Sequence, residues 1–131
     1  MTLEDLKIIF PDATPDTWHV HTNGGGWVQN TATVTDSAYV GPDAVVFGDA
    51  EVSGNAMVSG YAQVSGNAKI SGDAMVSGYA VVYGNAVVFG NAKISGDAWV
   101  FGDARVCGDA VVSGDAVVSW YARVSGNEII D

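Results

Sequence analysis

The residues best equipped for chemistry are two histidines set one apart in the run Trp18-His19-Val20-His21. In an extended segment alternate side chains point to opposite sides, so both imidazoles share one side and Trp18 shares the other with Val20. A His-x-His pair on a strand can bind one metal ion, but two ligands make no site without a third. Asp12 and Asp16 are the loose candidates for that third ligand. The plainer reading is two surface histidines on a lead-in segment, with no metal and no cofactor. Cys107 is the single cysteine, which excludes an internal disulfide. It stands at an outward position that serine often holds, and reads as a stand-in for serine rather than a nucleophile.

Whatever positions these groups is set by a repeat, which determines the architecture before any other feature. From Val46 to Val124 an aliphatic residue falls at every sixth position, and the unit reads Val-x-Gly-(Asn/Asp/Tyr)-Ala-x. Ala and Val lie two apart, so both point inward from one short strand while the residues between and after them point outward. Gly followed by Asn or Asp closes the unit as a corner. Such a strand cannot bury its Ala/Val side alone, so copies must stack about 4.8 Å apart with backbone bonds between coils. The stretch Ala56-Met57-Val58-Ser59-Gly60-Tyr61-Ala62 recurs as Ala74-Met75-Val76-Ser77-Gly78-Tyr79-Ala80, a shift of eighteen. That shift stacks three-sided coils and misaligns two-sided ones. The fold expected is all-β: a three-sided, single-stranded parallel β-helix of six eighteen-residue coils, about 29 Å long.

The segment 26–130 resembles the hexapeptide-repeat proteins of the bacterial transferase type, which form left-handed parallel β-helices. The left hand is implied by that resemblance, not by period or composition. The family includes acyltransferases that use acetyl-CoA, in which a histidine serves as base in a cleft between subunits, beside a loop that leaves the helix. His19 and His21 are the catalytic candidates that this implies. The repeats here make no excursion that could supply such a loop. After the aliphatic residue this chain often has Ser, Phe or Tyr, where the family commonly has Gly or an acid.

Before the repeats, residues 1–25 form a separate lead-in, with 26–131 as the β-helix. Thr2-Leu3-Glu4-Asp5 predicts a helix start with Thr2 as N-cap, Leu3, Leu6, Ile9 and Phe10 give it an apolar side, and Pro11 ends it. A short helix here is expected to plug the open end of the core. At the other end Glu128 takes an inward alanine position, a charge expected to fray or blunt the last coil.

The outward residues sort into three faces. The first carries Trp27/Gln29, Val45/Phe47, Gln63/Ser65, Val81/Tyr83, Trp99/Phe101 and Val117/Ser119. Its apolar strip, on the order of 400 Å² from strand and coil spacings, has the size that marks a contact surface. Val45, Phe47, Val81, Tyr83, Trp99 and Phe101 are its expected interface residues, most simply for self-association as a dimer or trimer, or for a protein partner. The second face is mostly polar and charged; the third sets a Met/Val row beside a Ser row. The corners are rich in acid, with Asp97, Asp103, Asp109 and Asp115 in succession.

A net charge of −10 with five basic residues argues against direct contact with nucleic acid or an anionic membrane. There is no signal-like segment and no long apolar run, so a cytoplasmic location is expected. The function expected is a non-catalytic interaction or structural protein acting through the apolar face and acidic corners, including inhibition of a basic protein by imitating nucleic acid. The acetyl-CoA-dependent acyltransferase is the alternative. Ice binding is remote, because Trp, Phe, Tyr and Met interrupt the flat faces.

Overall fold

The computed structural model describes residues 1–131 and consists of one short helix, α1 (Leu3–Ile9), and nineteen short strands. Strand β1 (Trp18–Val20) pairs antiparallel with β2 (Trp27–Gln29); every other pairing is parallel. The parallel strands form three sheets, each visited once per coil, and Val76 lies in register with Val58 below and Ile94 above. Eighteen residues per coil and six coils follow, as the internal repeat requires.

The inward assignments hold coil after coil. Ala74, Val76, Ala80, Val82, Ala86 and Val88 are wholly buried, and they belong to one continuous core of 31 buried residues. The strands are held by bonds between coils: Met57 N–H donates to the Ala74 carbonyl at 2.9 Å. The corners stack in the same way, with Asn55 N–H donating to the Gly72 carbonyl at 2.9 Å. Bonding therefore continues around the perimeter and is not confined to the two-residue strands.

Glycine at the corner answers two demands at once. Gly96 has φ +65°, and a Cβ there would lie 2.8 Å from the amide nitrogen of Gly114 in the next coil. Left-handed backbone and close approach both favour a residue without a side chain. Trp120 breaks the rule. It holds φ 59° at the corner of the sixth coil, directly above Gly102, and is 77% exposed.

The helix forms as its caps predict. The Thr2 hydroxyl accepts from Asp5 N–H while the Asp5 carboxylate accepts from Thr2 N–H. The bond that the Asp5 carboxylate accepts from the Thr2 backbone, and after it the nearby Thr2 hydroxyl, hold the Asp5 carboxyl below its ordinary pKa.

Its position corrects the expectation of an end plug. α1 lies on the side of the prism, on the first face at coils one and two. Leu6 is fully buried in a cluster with Trp18 and Val45, flanked by Leu3, Trp27 and Phe47. The Phe10 ring meets Trp18 at 4.8 Å and Phe47 at 4.7 Å. The Met1 ammonium donates to the Pro42 carbonyl and pairs with Asp43, and Trp27 Nε1 donates to the Met1 carbonyl. The physical reason is area. The core's end offers only Ala and Val, whereas this stretch of the side offers two aromatics and a valine.

The end of the core is closed instead by the segment that follows. β1 covers the edge of β2, and the chain at residues 21–26 crosses to the third sheet, where Gly26 N–H donates to the Val40 carbonyl and Val40 N–H to that of Asn23. Gly26 packs so closely on Val40 that a Cβ there would collide with backbone and side chain alike.

At the opposite end Glu128 is exposed, and its carboxylate accepts from Ser125 N–H at 3.4 Å. The charge at an inward position thus leaves the core and bonds an amide of its own coil, with the coil still ordered as strand and corner.

Candidate interaction face

The two histidines separate. His21 is 4% exposed, and its Nε2 lies 2.8 Å from the Ala38 carbonyl. A carbonyl only accepts, so Nε2 carries the proton. His19 is exposed, with Nδ1 2.7 Å from Asn30 Oδ1, while Asn30 Nδ2 donates to the Asp16 carbonyl. Strict alternation would have put both at the surface and buried Val20 with Trp18. Instead Val20 lies outside the cluster that buries Trp18 and is 50% exposed, and His21, the first residue past β1, turns inward. Both imidazoles are engaged in holding the lead-in to the first coil, and no three His, Cys, Asp or Glu side chains converge anywhere.

The one cavity, about 350 Å³, lies where α1 ends against the first face. Ile9, Phe10, Pro11, Ala13, Thr17, Trp18 and Gln29 line it, with Asp12 as its single ionisable group. It is a groove beneath the lead-in, and neither imidazole lines it.

The first face is divided by the helix. Val45 is 2% exposed and Phe47 half-buried under α1, so these two expected interface residues are occupied within the chain. Gln63 and Ser65 form a polar break in coil three. Beyond it Val81 and Tyr83 are half-buried, and Trp99 and Val117 are exposed by 49% and 60%. The Tyr83 and Phe101 rings stack at 4.9 Å and 6° between planes, and Trp99 meets Tyr83 edge-on at 6.4 Å. The stack follows from coil spacing: parallel registry puts Val81 beside Trp99, and the residues two further on lie one above the other. Aromatics held this way present large contact area at little entropic cost.

A family model for the YdcK Beta solenoid repeat matches residues 50–66, 68–84 and 104–119. The matched segments begin eighteen and then thirty-six residues apart, one and two coils of the structure. No curated protein and no solved structure matches the chain. The chain is a β-solenoid repeat protein.

The acidic corners of this β-solenoid fall on all three edges of the prism. Asp97 and Asp115 stack on the edge leading into the first face, Asp103 on the edge leaving it, and Asp109 on the remaining edge, where Asn91 donates to it at 3.2 Å. All four are exposed, and they ring the solenoid rather than line one side. The second face carries a weak ladder in which Lys69 approaches Glu51 at 3.9 Å. Cys107 is half-buried on that face, in a row with Phe89 and Ser125. No helix is long and apolar enough to cross a membrane.

Proposed function

We propose that this β-solenoid is a non-catalytic interaction protein whose working surface is the uncovered half of the first face. The observation that carries this reading is the ordered stack of half-buried Tyr83 and Phe101 with exposed Trp99 and Val117 beside it, on the same face whose other half the chain covers with its own helix. Contiguous exposed apolar and aromatic surface is where contact sites concentrate, and here the fold leaves this half uncovered while covering the other. The acyltransferase reading is weaker, because it needs a free imidazole beside a substrate cleft, whereas His21 is buried on a carbonyl and His19 is paired with Asn30. Imitation of nucleic acid also gains little, since the corner carboxylates are spread over three edges.

The test is the double change Trp99→Ser with Phe101→Ser, followed by light scattering and melting. Neither side chain enters the core, so the melting temperature should hold within a few degrees while any assembly is lost. Unchanged association in a folded variant would refute the assignment of this face.

A further inference from the structure

The first face repeats itself three coils apart. Coil two carries Asp43-Ala44-Val45-Val46-Phe47-Gly48-Asp49, and coil five carries Asp97-Ala98-Trp99-Val100-Phe101-Gly102-Asp103. The two runs are identical but for Val45 and Trp99. They lie in one sheet in parallel register, so each group of the second run stands over its counterpart in the first.

The chain shows what the first run holds. α1 crosses it from one corner toward the other. The Met1 ammonium pairs with Asp43 at 3.2 Å, Leu6 is fully buried with Val45, and the Phe10 ring meets Phe47 at 4.7 Å. A cation, a leucine and a phenylalanine thus answer the acid, the aliphatic and the aromatic in turn. The second run has the same groups and the chain leaves it uncovered. Trp99 and Val117 are exposed, and no cation of the chain pairs with Asp97, Asp103 or Asp115. Its surroundings are the more apolar of the two. Trp27, Gln29, Gln63 and Ser65 flank the covered run, whereas Val81, Tyr83, Val117 and Ser119 flank the free one.

We propose that the run at coil five is a second helix dock, whose occupant is a basic amphipathic helix of another protein. It deepens the reading of the first face as a contact surface, on which it rests. The helix sets a lysine or arginine over Asp97, an aliphatic residue on Trp99 and an aromatic one on Phe101. Space permits this. Packed helices need about 8–10 Å between axes, and three coils displace the second dock by about 14 Å, so α1 does not block it. The α1 of another copy is itself held on coil two, so the helix comes from a different chain. Charge sets its type. On the edge above Asp43 the next corner is Tyr61, and α1 carries Glu4 and Asp5 as well as Lys7. On the same edge above Asp97 the next corner is Asp115, about 4.8 Å away. Two unpaired carboxylates at that spacing favour a basic helix and repel an acidic one.

The probe is a lactam-bridged helical peptide with leucine, leucine and phenylalanine at the spacing of Leu3, Leu6 and Phe10, a free N-terminus and lysine on its outer side. Labelled and titrated with the full chain, it should bind one to one in the micromolar range by fluorescence anisotropy. Trp99→Ser with Phe101→Ser should weaken binding about tenfold or more. Asp97→Asn should weaken it severalfold, and Met57→Ser, on the third face, not at all. A peptide of the same composition with its apolar residues spread around the helix should bind about tenfold more weakly or worse, which separates the dock from general attraction to an acidic chain. No binding at millimolar peptide, equal binding of the spread peptide, or indifference to the double change overturns the helix dock. Indifference to Asp97→Asn overturns the basic occupant. If the peptide fails while the double change still abolishes assembly of the parent chain in light scattering, the face remains a contact surface and only its occupant is wrong. If there is no such loss either, the reading of the face falls with it.

Discussion

Val76 and Ser77 are neighbours with opposite fates, and the pair measures how firmly the repeat sets direction. Val76→Asp puts a carboxylate among wholly buried Ala and Val side chains with nothing to bond it, at a cost of several kcal/mol. Ser77→Asp adds the same charge at a half-buried outward position and should shift the melting temperature little. Equal melting temperatures would mean that the inward phase is wrong. The histidines give a second contrast. His21→Ala strips the Ala38 carbonyl of its side-chain donor and should cost roughly 1–3 kcal/mol. His19→Ala removes an exposed bond to Asn30 and should be close to neutral by thermal melting. The burial of Val76 was legible because an inward aliphatic recurs at every sixth position. The burial of His21 was not, since alternation carries no information past the end of a three-residue strand.

Among the elements, α1 is the one whose existence could be read and whose place could not. Thr2, Asp5 and Pro11 are local signals, and local backbone bonding decides whether a helix forms. Where it docks depends on Leu6 and Phe10 finding Trp18, Val45 and Phe47, contacts with no period that the sequence could display. Leu6→Asp should therefore free the helix from the side of the solenoid without unstacking the coils. Fluorescence from Trp18 and Trp27 should shift to the red while the main melting transition stays in place; a solenoid that unfolds with the helix would contradict this docking. Acid should act in the same direction. The Asp5 carboxyl has a lowered pKa in the folded chain, so its contribution is complete above the ordinary carboxylate range and is lost as pH falls through the folded value. In Asp5→Asn any step in helix content that titrates with Asp5 should disappear from an acid titration followed by circular dichroism. An unchanged step would assign it to another carboxylate.

For the molecule as a whole, the repeat of eighteen foretold the number of sides, the six coils and the three faces, because parallel stacking converts sequence distance directly into height. The division of the first face was hidden. Val45-Phe47 and Trp99-Phe101 look alike as hexads, and only the docked helix separates an occupied pair from a free one.

Trp120 carries a consequence for growth. A β-solenoid is a one-dimensional crystal: each coil is a template on which an identical layer can deposit. Every glycine corner below offers a flat lattice site, whereas the indole-bearing corner of the sixth coil is a poisoned one. A layer settling there in the same packing would meet the Trp120 Cβ, just as a Cβ on Gly102 would lie 2.7 Å from the Trp120 amide nitrogen. Trp120→Gly should heal that site. It should also relieve a left-handed backbone strain of about 1–2 kcal/mol, raising the melting temperature. Thermal unfolding checks this: an unchanged or lower melting temperature in the variant would contradict the strain. The lead-in that closes the other end of the core keeps either chain from growing into filaments.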